Sequence, residues 1–524
     1  MAAVGGAQPS LAARMVWRCM RRRTLDRCSR RRVDEGAGGG DHDGTATATE
    51  PGEPNLRRWI DRRPLALSVA LGLVALLGAT RADRSPPLFA AGLLGNRDAL
   101  VSVPPGQAHG AAYLDQSTVL RLADGRLRYL PPGAAEPVTG PPGDPGGLAV
   151  AAEERAWLAA GTVPGATGAE RAAAARSLLF LRLLVRPGGA ALAAETPYWA
   201  YVWPRDASFT AAALAATGHR REAGAVLSFL ARTQRADGTW PARSHPDGRP
   251  VDDGRPAQLD ATGWVPWAAW LASDQGRDRD LAARLWPAVR AAADHAAATL
   301  GPDGLPPAGP DYWERRERAP TLGTAAALLA GLRAAARLAG QLAEPAGEGG
   351  RRQVAGPGLG PGRELAEGRR AAWALGAERL DQGVRRRFGP GGYQRYPGGG
   401  GPDAAVAWLG PPFGPADPAV ERAVRTAWRR LTVAGGAVPG RPWLGGDPWT
   451  PATASFALAA MATGDRGAAE ARLAWLLAHR TALGAFPERV GRDNGAPRSV
   501  APLAWTHALV LLTLVSRDRA VPPP

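Results

Sequence analysis

Two glutamates in loop-like stretches of this chain have neighbours that suit acid–base chemistry. Glu314 lies in PDYWERRERAP (residues 310–320) and Glu488 lies in FPERVGRDNG (residues 486–495), among aromatic residues and arginines. Two carboxyl groups can divide the work of a general acid and a general base, as they do when a glycosidic bond is hydrolysed. Taken singly, each glutamate could instead form a loop salt bridge with a neighbouring arginine.

The neighbours of Glu314 raise a chemical difficulty, because Arg315 and Arg316 follow it directly. A general acid must carry its proton near the working pH, whereas close cations favour the ionised form. Catalysis by Glu314 therefore requires that both guanidinium groups point away, toward another acid or toward substrate.

A third stretch, YWAYVWPRDASF (residues 198–209), places Arg205 beside Asp206 after four aromatic residues. Aromatic faces stack on sugar rings, and an adjacent guanidinium and carboxylate can bind hydroxyl groups. The alternative is that Asp206 caps the helix expected to begin at Ala207, which is the commoner role of such an aspartate. The density of aromatic residues keeps the binding interpretation open.

The elements that must position these residues are mainly helices, since apolar residues recur at helical spacing from about residue 153 onward. The predicted helices cover residues 170–185, 207–216, 220–233, 262–272, 278–300, 322–342, 364–380, 403–408, 416–432, 451–463, 466–479 and 502–515. They could form a bundle, a solenoid or a closed ring of hairpins, and no fixed repeat selects the solenoid. Stretches rich in Trp, Pro and Asp fall in the connections, which predicts one shared cleft.

The first 150 residues have a different organisation. Residues 1–56 are predicted to be a disordered basic cytoplasmic tail. Residues 57–84 are predicted to be a membrane anchor, because the uncharged, mostly apolar segment 64–80 follows four arginines and is just long enough to cross about 30 Å of hydrocarbon. The remainder would then lie outside the cytoplasm, or be secreted if this segment is a cleaved signal peptide.

Between the anchor and the helices, residues 85–150 are predicted to hold a small β-like element and a Pro/Gly-rich linker. The runs 118–122 and 126–130 read as a hairpin with a turn at Asp124 and Gly125. A glycine-rich insert at 344–364 is predicted to be a surface loop within the domain 151–520.

Composition excludes several function classes. The formal charge of +16 suggests nucleic-acid binding at first, but all 64 basic residues are arginines and many are interspersed with acids or confined to the tail. We therefore expect no nucleic-acid partner. Both cysteines lie in the tail and the seven histidines are scattered, so we expect no metal site and no cofactor.

Several motifs, taken in order, resemble the glucoamylase family of glycoside hydrolases, family 15, over residues 170–518. They are YVWPRDASF, QLDATGW (residues 258–264), DYWERR, GGDPWTPAT (residues 445–453) and FPERVGRDNGAPRSVAPLAWTHA. The resemblance implies an all-α (α/α)6 barrel with six inner and six outer helices. It also implies an exo-acting, inverting hydrolase that releases glucose from the non-reducing ends of α-glucosides, acting as a monomer on an oligo- or polysaccharide.

The resemblance also assigns roles to residues. Glu314 corresponds to the general acid and Glu488 to the general base, with carboxyl groups expected about 6.5–9.5 Å apart. Arg205 and Asp206 would hold the hydroxyls of the terminal glucose. The other expected substrate contacts are Tyr201, Trp203, Trp313, Arg315, Arg441 and Trp505.

The substrate itself stays open. Arg315 stands where the family commonly has a second acid, so a cationic outer subsite for a negatively charged substrate is one hypothesis. Hydrolysis of trehalose or of an α-1,6-glucan on the same fold is an alternative. A catalytically inactive glycan-binding or regulatory protein is an alternative from another class.

Overall fold

The structure, a computed structural model, describes residues 86–343 and 360–524. The predicted tail (1–56), the predicted membrane segment (57–84) and most of the predicted glycine-rich loop (344–364) lie outside these ranges. Within them are twelve α-helices: α1 (Pro145–Ala159), α2 (Gly168–Leu184), α3 (Pro204–Ala216), α4 (Arg220–Arg232), α5 (Ala261–Gly276), α6 (Arg279–Ala298), α7 (Leu322–Ala343), α8 (Gly360–Arg387), α9 (Pro418–Leu431), α10 (Thr450–Ala462), α11 (Arg466–Ala478) and α12 (Ala504–Asp518). Each predicted helix matches one of α2 to α12 or the short 3-10 helix Ala404–Trp408.

Six inner elements close into a ring. In order they are α3, α5, α7, the 3-10 helix Ala404–Trp408, α10 and α12; each packs on the next, and α12 packs back on α3. Every residue of α3 is buried, as expected for a helix that is apolar on all sides and lies in a core.

Six outer helices surround this ring: α2, α4, α6, α8, α9 and α11. The outer helices are amphipathic, whereas the inner helices are buried on nearly all sides. In α9, for example, only Val420, Ala423, Ala427 and Leu431 are buried, at the spacing of one helical face. The predicted all-α (α/α)6 architecture is therefore present in the described residues.

Two glycines let the inner helices α5 and α7 approach each other closely. A Cβ atom at Gly263 would lie 2.0 Å from the carbonyl oxygen of Ala327, and one at Gly331 would lie 2.4 Å from the Cα of Gly263. Any side chain at these points would push apart the helices whose ends carry the site.

Helix α7 is the one helix among the described residues that is long and apolar enough to span a membrane. Because 83% of its apolar window is buried, its composition reflects its place in the barrel core.

A small β-rich element precedes the barrel. Strands β1 (Gly92–Gly95) and β2 (Leu100–Val103) pair with each other, and a four-stranded sheet follows: β3 (Ala112–Tyr113), β4 (Leu120–Arg121), β5 (Leu127–Tyr129) and β6 (Val138–Gly140). The antiparallel β4–β5 pair is the predicted hairpin.

The segment read as a linker differs from the prediction. It contains β6, which pairs with β5, and the start of α1, whose first turn is capped by the Asp144 carboxylate accepting from the backbone N–H of Gly147. Its Pro and Gly residues serve tight turns between short elements, and composition alone does not separate that role from a flexible linker.

The candidate residues gather where inner helices begin. Arg205 and Asp206 are in the first turn of α3, Glu314 precedes α7, and Glu488 lies in the connection before α12. Backbone hydrogen bonds join two of these connections. Trp449 and Arg489 form a β-bridge, and the Thr450 N–H donates to the Glu488 carbonyl at 3.0 Å. An antiparallel pair, Arg489–Val490 with Pro497–Arg498, lies in the connection that carries Glu488.

Candidate active site

Glu314 lies on a tight, strained turn. Its backbone N–H donates to the Asp311 carbonyl at 2.7 Å, and its φ of +56° lies in the left-handed region. A non-glycine residue in this region is uncommon and costs energy, so the surroundings must enforce it.

One buried arginine, Arg395, holds this turn in place through ion pairs and a ring contact. Its guanidinium binds Asp311 at 3.0 Å, Glu317 at 2.6 Å and Asp403 at 2.7 Å, and its Cζ lies 3.3 Å from the centre of the Trp313 ring. Burial lowers the pKa of Arg395, but Asp403 and Asp311 outweigh it and raise the pKa, so this arginine stays charged. The loop that presents Glu314 is thus built around an arginine about 80 residues further along the chain.

The arginines that contact Glu314 are not the ones beside it in sequence. One carboxyl oxygen, Oε2, accepts a hydrogen bond from Arg255, and the other lies 3.9 Å from Arg205. Arg315 and Arg316 are exposed, and the Arg315 guanidinium lies 5.9 Å from the centre of the Trp443 ring. Neither forms an ion pair with Glu314, so the requirement that they point away is met.

Arg205 sits at the centre of a buried acidic group. It lies 3.0 Å from Asp206, 3.7 Å from Asp260, and 4.7 Å from the centre of the Trp505 ring. Burial alone would lower the pKa of Arg205, but the neighbouring carboxylates outweigh it and raise the pKa. Burial raises the pKa of Asp206, which lies within the helix, while Trp203 holds the capping position.

Asp260, directly before α5, is the most perturbed carboxyl of this group. Burial raises its pKa to about 7, and the negative charges of Asp311, Glu314 and Asp206 act in the same direction. Its two oxygens have no hydrogen-bond partner among the described residues. Buried polar atoms normally have partners, so both oxygens of Asp260 are available to accept hydrogen bonds from a ligand or from water.

Other unpartnered polar atoms belong to the same place. The indole N–H groups of Trp203, Trp313 and Trp505 are buried, and each lacks an acceptor in the described part of the chain. A sugar, with many hydroxyls and an apolar ring face, could satisfy these donors and stack on the same rings.

Glu488, whose side chain is 13% exposed, is largely but not fully buried. Burial raises its pKa, and the charges of Glu314 and Asp206 raise it further, whereas Arg489 and a hydrogen bond from Ser499 lower it. The Ser499 hydroxyl donates to Oε2 at 2.6 Å, and the Arg489 Nε lies 3.7 Å from the same oxygen. Glu314 and Asp206 are therefore near enough to Glu488 for their charges to act on it.

A cavity beside these residues encloses about 450 Å³ of empty space, including the part open to solvent. Its wall is mostly aromatic and includes Trp313, Trp408, Trp443, Trp449 and Trp505. The predicted residues Trp313 and Trp505 therefore line it, and Trp443 stands edge-on to Trp313 with ring centres 4.2 Å apart. An aromatic lining of this kind is typical of a pocket that binds a small organic ligand.

Tyr201 and Trp203 form a separate aromatic wall at the start of α3. Their ring centres are 6.2 Å apart, and the Arg243 guanidinium lies 4.5 Å from the Tyr201 ring and 5.2 Å from the Trp203 ring. Arg243 is in turn paired with Asp253, on the same segment as Arg255. Arg441 is exposed at the first position of the 3-10 helix Arg441–Trp443.

Several residues of the site were not identified from sequence. Arg255 and Arg395 carry no signal that separates them from the other arginines of a chain without lysine. Asp260 lies in the motif QLDATGW, two residues before the predicted helix 262–272, and that position could have identified it. Ser499 lies eleven residues after Glu488 and becomes recognisable only when the hairpin between them folds back.

No group of three or more His, Cys, Asp or Glu side chains in the described ranges is arranged to hold a metal ion.

Comparison with solved structures places the fold. The chain aligns with a glycosidase variant at a TM-score of 0.55 and 22% identity, covering 68% of this chain and 100% of that one. It aligns with a bacterial glucoamylase complexed with acarbose at a TM-score of 0.53 and 19% identity, covering 74% and 64%. It aligns with the glucoamylase from Saccharomycopsis fibuligera at 0.53 and 13% identity, covering 68% and 97%.

The fold is therefore that of glucoamylase-type glycosidases, and the resemblance found in the motifs is confirmed at this level. In sequence, the chain is similar to an uncharacterized glycosyl hydrolase of Methanocaldococcus jannaschii, with 26% identity over 376 residues. The alignment covers 66% of this chain and 56% of that relative, so the chain spans little more than half its length. No family model matches the chain.

Proposed function

We propose that this protein is an exo-acting, inverting glycoside hydrolase of the glucoamylase type, which releases glucose from the non-reducing ends of α-glucosides. The observation that carries the proposal is the convergence of Glu314, Glu488 and the Arg205–Asp206 pair on one aromatic cleft. The glucoamylase-like fold and the similarity to an uncharacterized glycosyl hydrolase support the same class of reaction.

Glu488 acts as the general base. Its raised pKa makes it a better proton acceptor than an ordinary glutamate, while Ser499 and Arg489 keep the ionised form accessible. In this mechanism it removes a proton from a water molecule, which attacks the anomeric carbon from the face opposite the leaving group.

Glu314 acts as the general acid and protonates the glycosidic oxygen as the bond breaks. Its Oε2 is occupied by Arg255 in the described state, and Arg255 is 41% exposed. Arg255 must therefore leave this oxygen before the acid can act, and the exposed position of its side chain permits that movement.

Arg205, Asp206 and Asp260 bind the hydroxyls of the terminal glucose. The guanidinium is fixed by both aspartates, and the unpartnered oxygens of Asp260 are free to accept from hydroxyl groups. Because Arg205, Asp206 and Asp260 are buried, we expect them to bind the end of a glucan rather than its middle, which is the basis for exo action.

The test compares a protein comprising residues 86–524 with its Glu314→Gln and Glu488→Gln variants. The substrates are a panel of α-1,4, α-1,6 and α,α-1,1 glucosides. We expect glucose release with inversion at the anomeric carbon, and a loss of at least about 1,000-fold in kcat for each variant. Glu421→Gln, on the outer helix α9, is the matched control. Release that survives both substitutions would refute the assignment.

The same panel decides between linkages, because trehalose and α-1,6-glucans remain alternative substrates. A protein that binds these sugars yet releases none would be the glycan-binding alternative, and the occupation of Glu314 by Arg255 is the observation that favours it.

The membrane anchor at 57–84, the extracytoplasmic location and the monomeric state remain proposals from sequence. Membrane fractionation of cells producing the full chain, and of cells producing it without residues 1–84, tests the first two. Sedimentation of the purified protein tests the third.

A further inference from the structure

Three exposed arginines lie close to Glu314 or to the aromatic residue Trp443. Arg255 contacts Glu314, Arg315 follows Glu314 and lies 5.9 Å from the centre of the Trp443 ring, and Arg441 is two residues before Trp443 in the same short helix. Trp443 lines the cavity, so this wall combines an aromatic face with several guanidinium groups.

The positive charge here is only partly balanced. Arg255 is paired with Asp253 and Glu314, and Asp253 is shared with Arg243. Arg315 and Arg441 form no ion pair with any carboxylate of the described residues, unlike Arg205 and Arg395, which are each surrounded by acids. Two uncompensated guanidinium groups beside an aromatic wall attract a negatively charged ligand.

The position of these arginines relative to Glu314 indicates which sugar would meet them. If Glu314 protonates the glycosidic oxygen, the terminal glucose lies toward Arg205 and the leaving-group sugar lies on the other side of Glu314. The leaving group is therefore the part of the substrate next to Trp443, Arg315 and Arg441.

We propose that the leaving-group subsite binds an anionic sugar unit, carrying a carboxylate or a phosphate, through Arg315 and Arg441, with Arg255 as a third partner. This inference rests on the proposed function for the orientation of the substrate. The two kinds of anion share the chemistry that a guanidinium recognises, and the experiment below separates them.

Arg255 connects this recognition to catalysis. Its present partner, Oε2 of Glu314, must be released before the acid can act. An anion on the substrate offers Arg255 a replacement acceptor, so that binding the charged sugar frees the general acid. A neutral sugar offers no such exchange and leaves Arg255 on Glu314 for more of the time.

The experiment compares two matched pairs of disaccharides: maltose with α-glucosyl-(1→4)-glucuronic acid, and trehalose with trehalose 6-phosphate. We expect kcat/KM for an anionic member to exceed that of its neutral partner at least about tenfold at low salt, with the ratio falling as sodium chloride is raised to 0.5 M. Arg315→Gln and Arg255→Gln should each lower this ratio at least about fivefold. Arg318→Gln, an exposed arginine of the same segment, should leave the ratio unchanged.

A second measurement does not depend on turnover. Calorimetric dissociation constants for the same four sugars on the Glu488→Gln variant should show the same preference and the same dependence on Arg315. Neutral sugars hydrolysed as well as their anionic partners, or better, would overturn the inference and leave the proposed function standing.

The converse results are also distinct. Tighter binding of an anionic sugar that depends on Arg315, without glucose release from any substrate, would support the charged subsite and refute the hydrolase. If no substrate releases glucose and no anionic sugar binds more tightly than its neutral partner, both the hydrolase and the charged subsite are refuted.

Discussion

Removal of the Ser499 hydroxyl should move the acidic limb of the pH–activity profile. This hydroxyl donates to Oε2 of Glu488 at 2.6 Å, and Ser499 is buried. The hydrogen bond stabilises the ionised carboxylate and counters part of the rise that burial causes in the pKa of Glu488. A hydrogen bond to a charged group contributes about 1.5–3 kcal/mol, which corresponds to about 1–2 pKa units.

The direction in which the acidic limb moves follows from the role of Glu488 as the general base. Glu488 must be ionised to accept a proton, so activity falls as the pH drops through its pKa. In Ser499→Ala the ionised form loses its donor and the pKa rises further. The acidic limb of kcat/KM, which reports the free enzyme, should therefore move up by about 1–2 pH units.

The backbone at this position calls for a paired design. Ser499 has a φ of +64°, so Ala keeps the strain of the native residue whereas Gly relieves it. Both Ser499→Ala and Ser499→Gly remove the hydroxyl and should shift the limb equally. Ser273→Ala, which removes a buried hydroxyl near the end of α5, should leave the limb in place. An unmoved limb in both Ser499 variants, with folding intact by circular dichroism, would refute Glu488 as the base.

Three further predictions concern the scaffold and the floor of the site. Arg395→Met should lower the free energy of unfolding in urea by about 3–5 kcal/mol, because three carboxylates lose a buried cation; an effect below about 1 kcal/mol would contradict the role given to it. Asp260→Asn should gain stability relative to the parent by up to about 4 kcal/mol as pH rises from about 4 to 8, since the unfolded parent releases this proton near pH 4 while the folded parent, with a pKa of about 7, holds it. Parallel urea stabilities at every pH would contradict this pKa. Gly263→Ala should lower Tm because its methyl group would collide with the Ala327 carbonyl, whereas Gly368→Ala, which meets no atom within 4 Å in the outer helix α8, should leave Tm equal or higher.

The helices could be predicted closely because their signal is local. Apolar spacing and the Gly and Pro residues between segments placed most ends of α2 to α12 within a few residues. The same signal failed before α1, where Pro and Gly make the turns around β6 and start the helix. Composition measures how turn-rich a segment is, whereas strand pairing depends on partners elsewhere in the chain.

For the site too, local motifs could be predicted from sequence, whereas contacts between distant residues could not. Residues with distinctive neighbours, such as Arg205 in VWPRD and Glu488 in FPER, could be proposed from their motifs. The cation that meets Glu314 was not, because sequence adjacency suggested Arg315 whereas the fold brings Arg255 from 59 residues away. The arginine that fixes the Glu314 turn, Arg395, comes from further still, and only the closed ring of inner elements brings it there.

The carboxyl groups around Arg205 also bear on how the site can hold a proton at all. Asp206, Asp260 and Glu314 lie 3.0, 3.7 and 3.9 Å from the Arg205 guanidinium, and the charges of Asp206 and Glu314 also act on Glu488. One cation cannot compensate this many ionised carboxylates away from water, so part of the group retains protons near neutral pH, as the raised pKa of Asp260 indicates. Arg255 adds a second cation from the rim and reduces that pressure while it remains there. Its departure would therefore uncover Oε2 of Glu314 and also raise the uncompensated negative charge within the cleft.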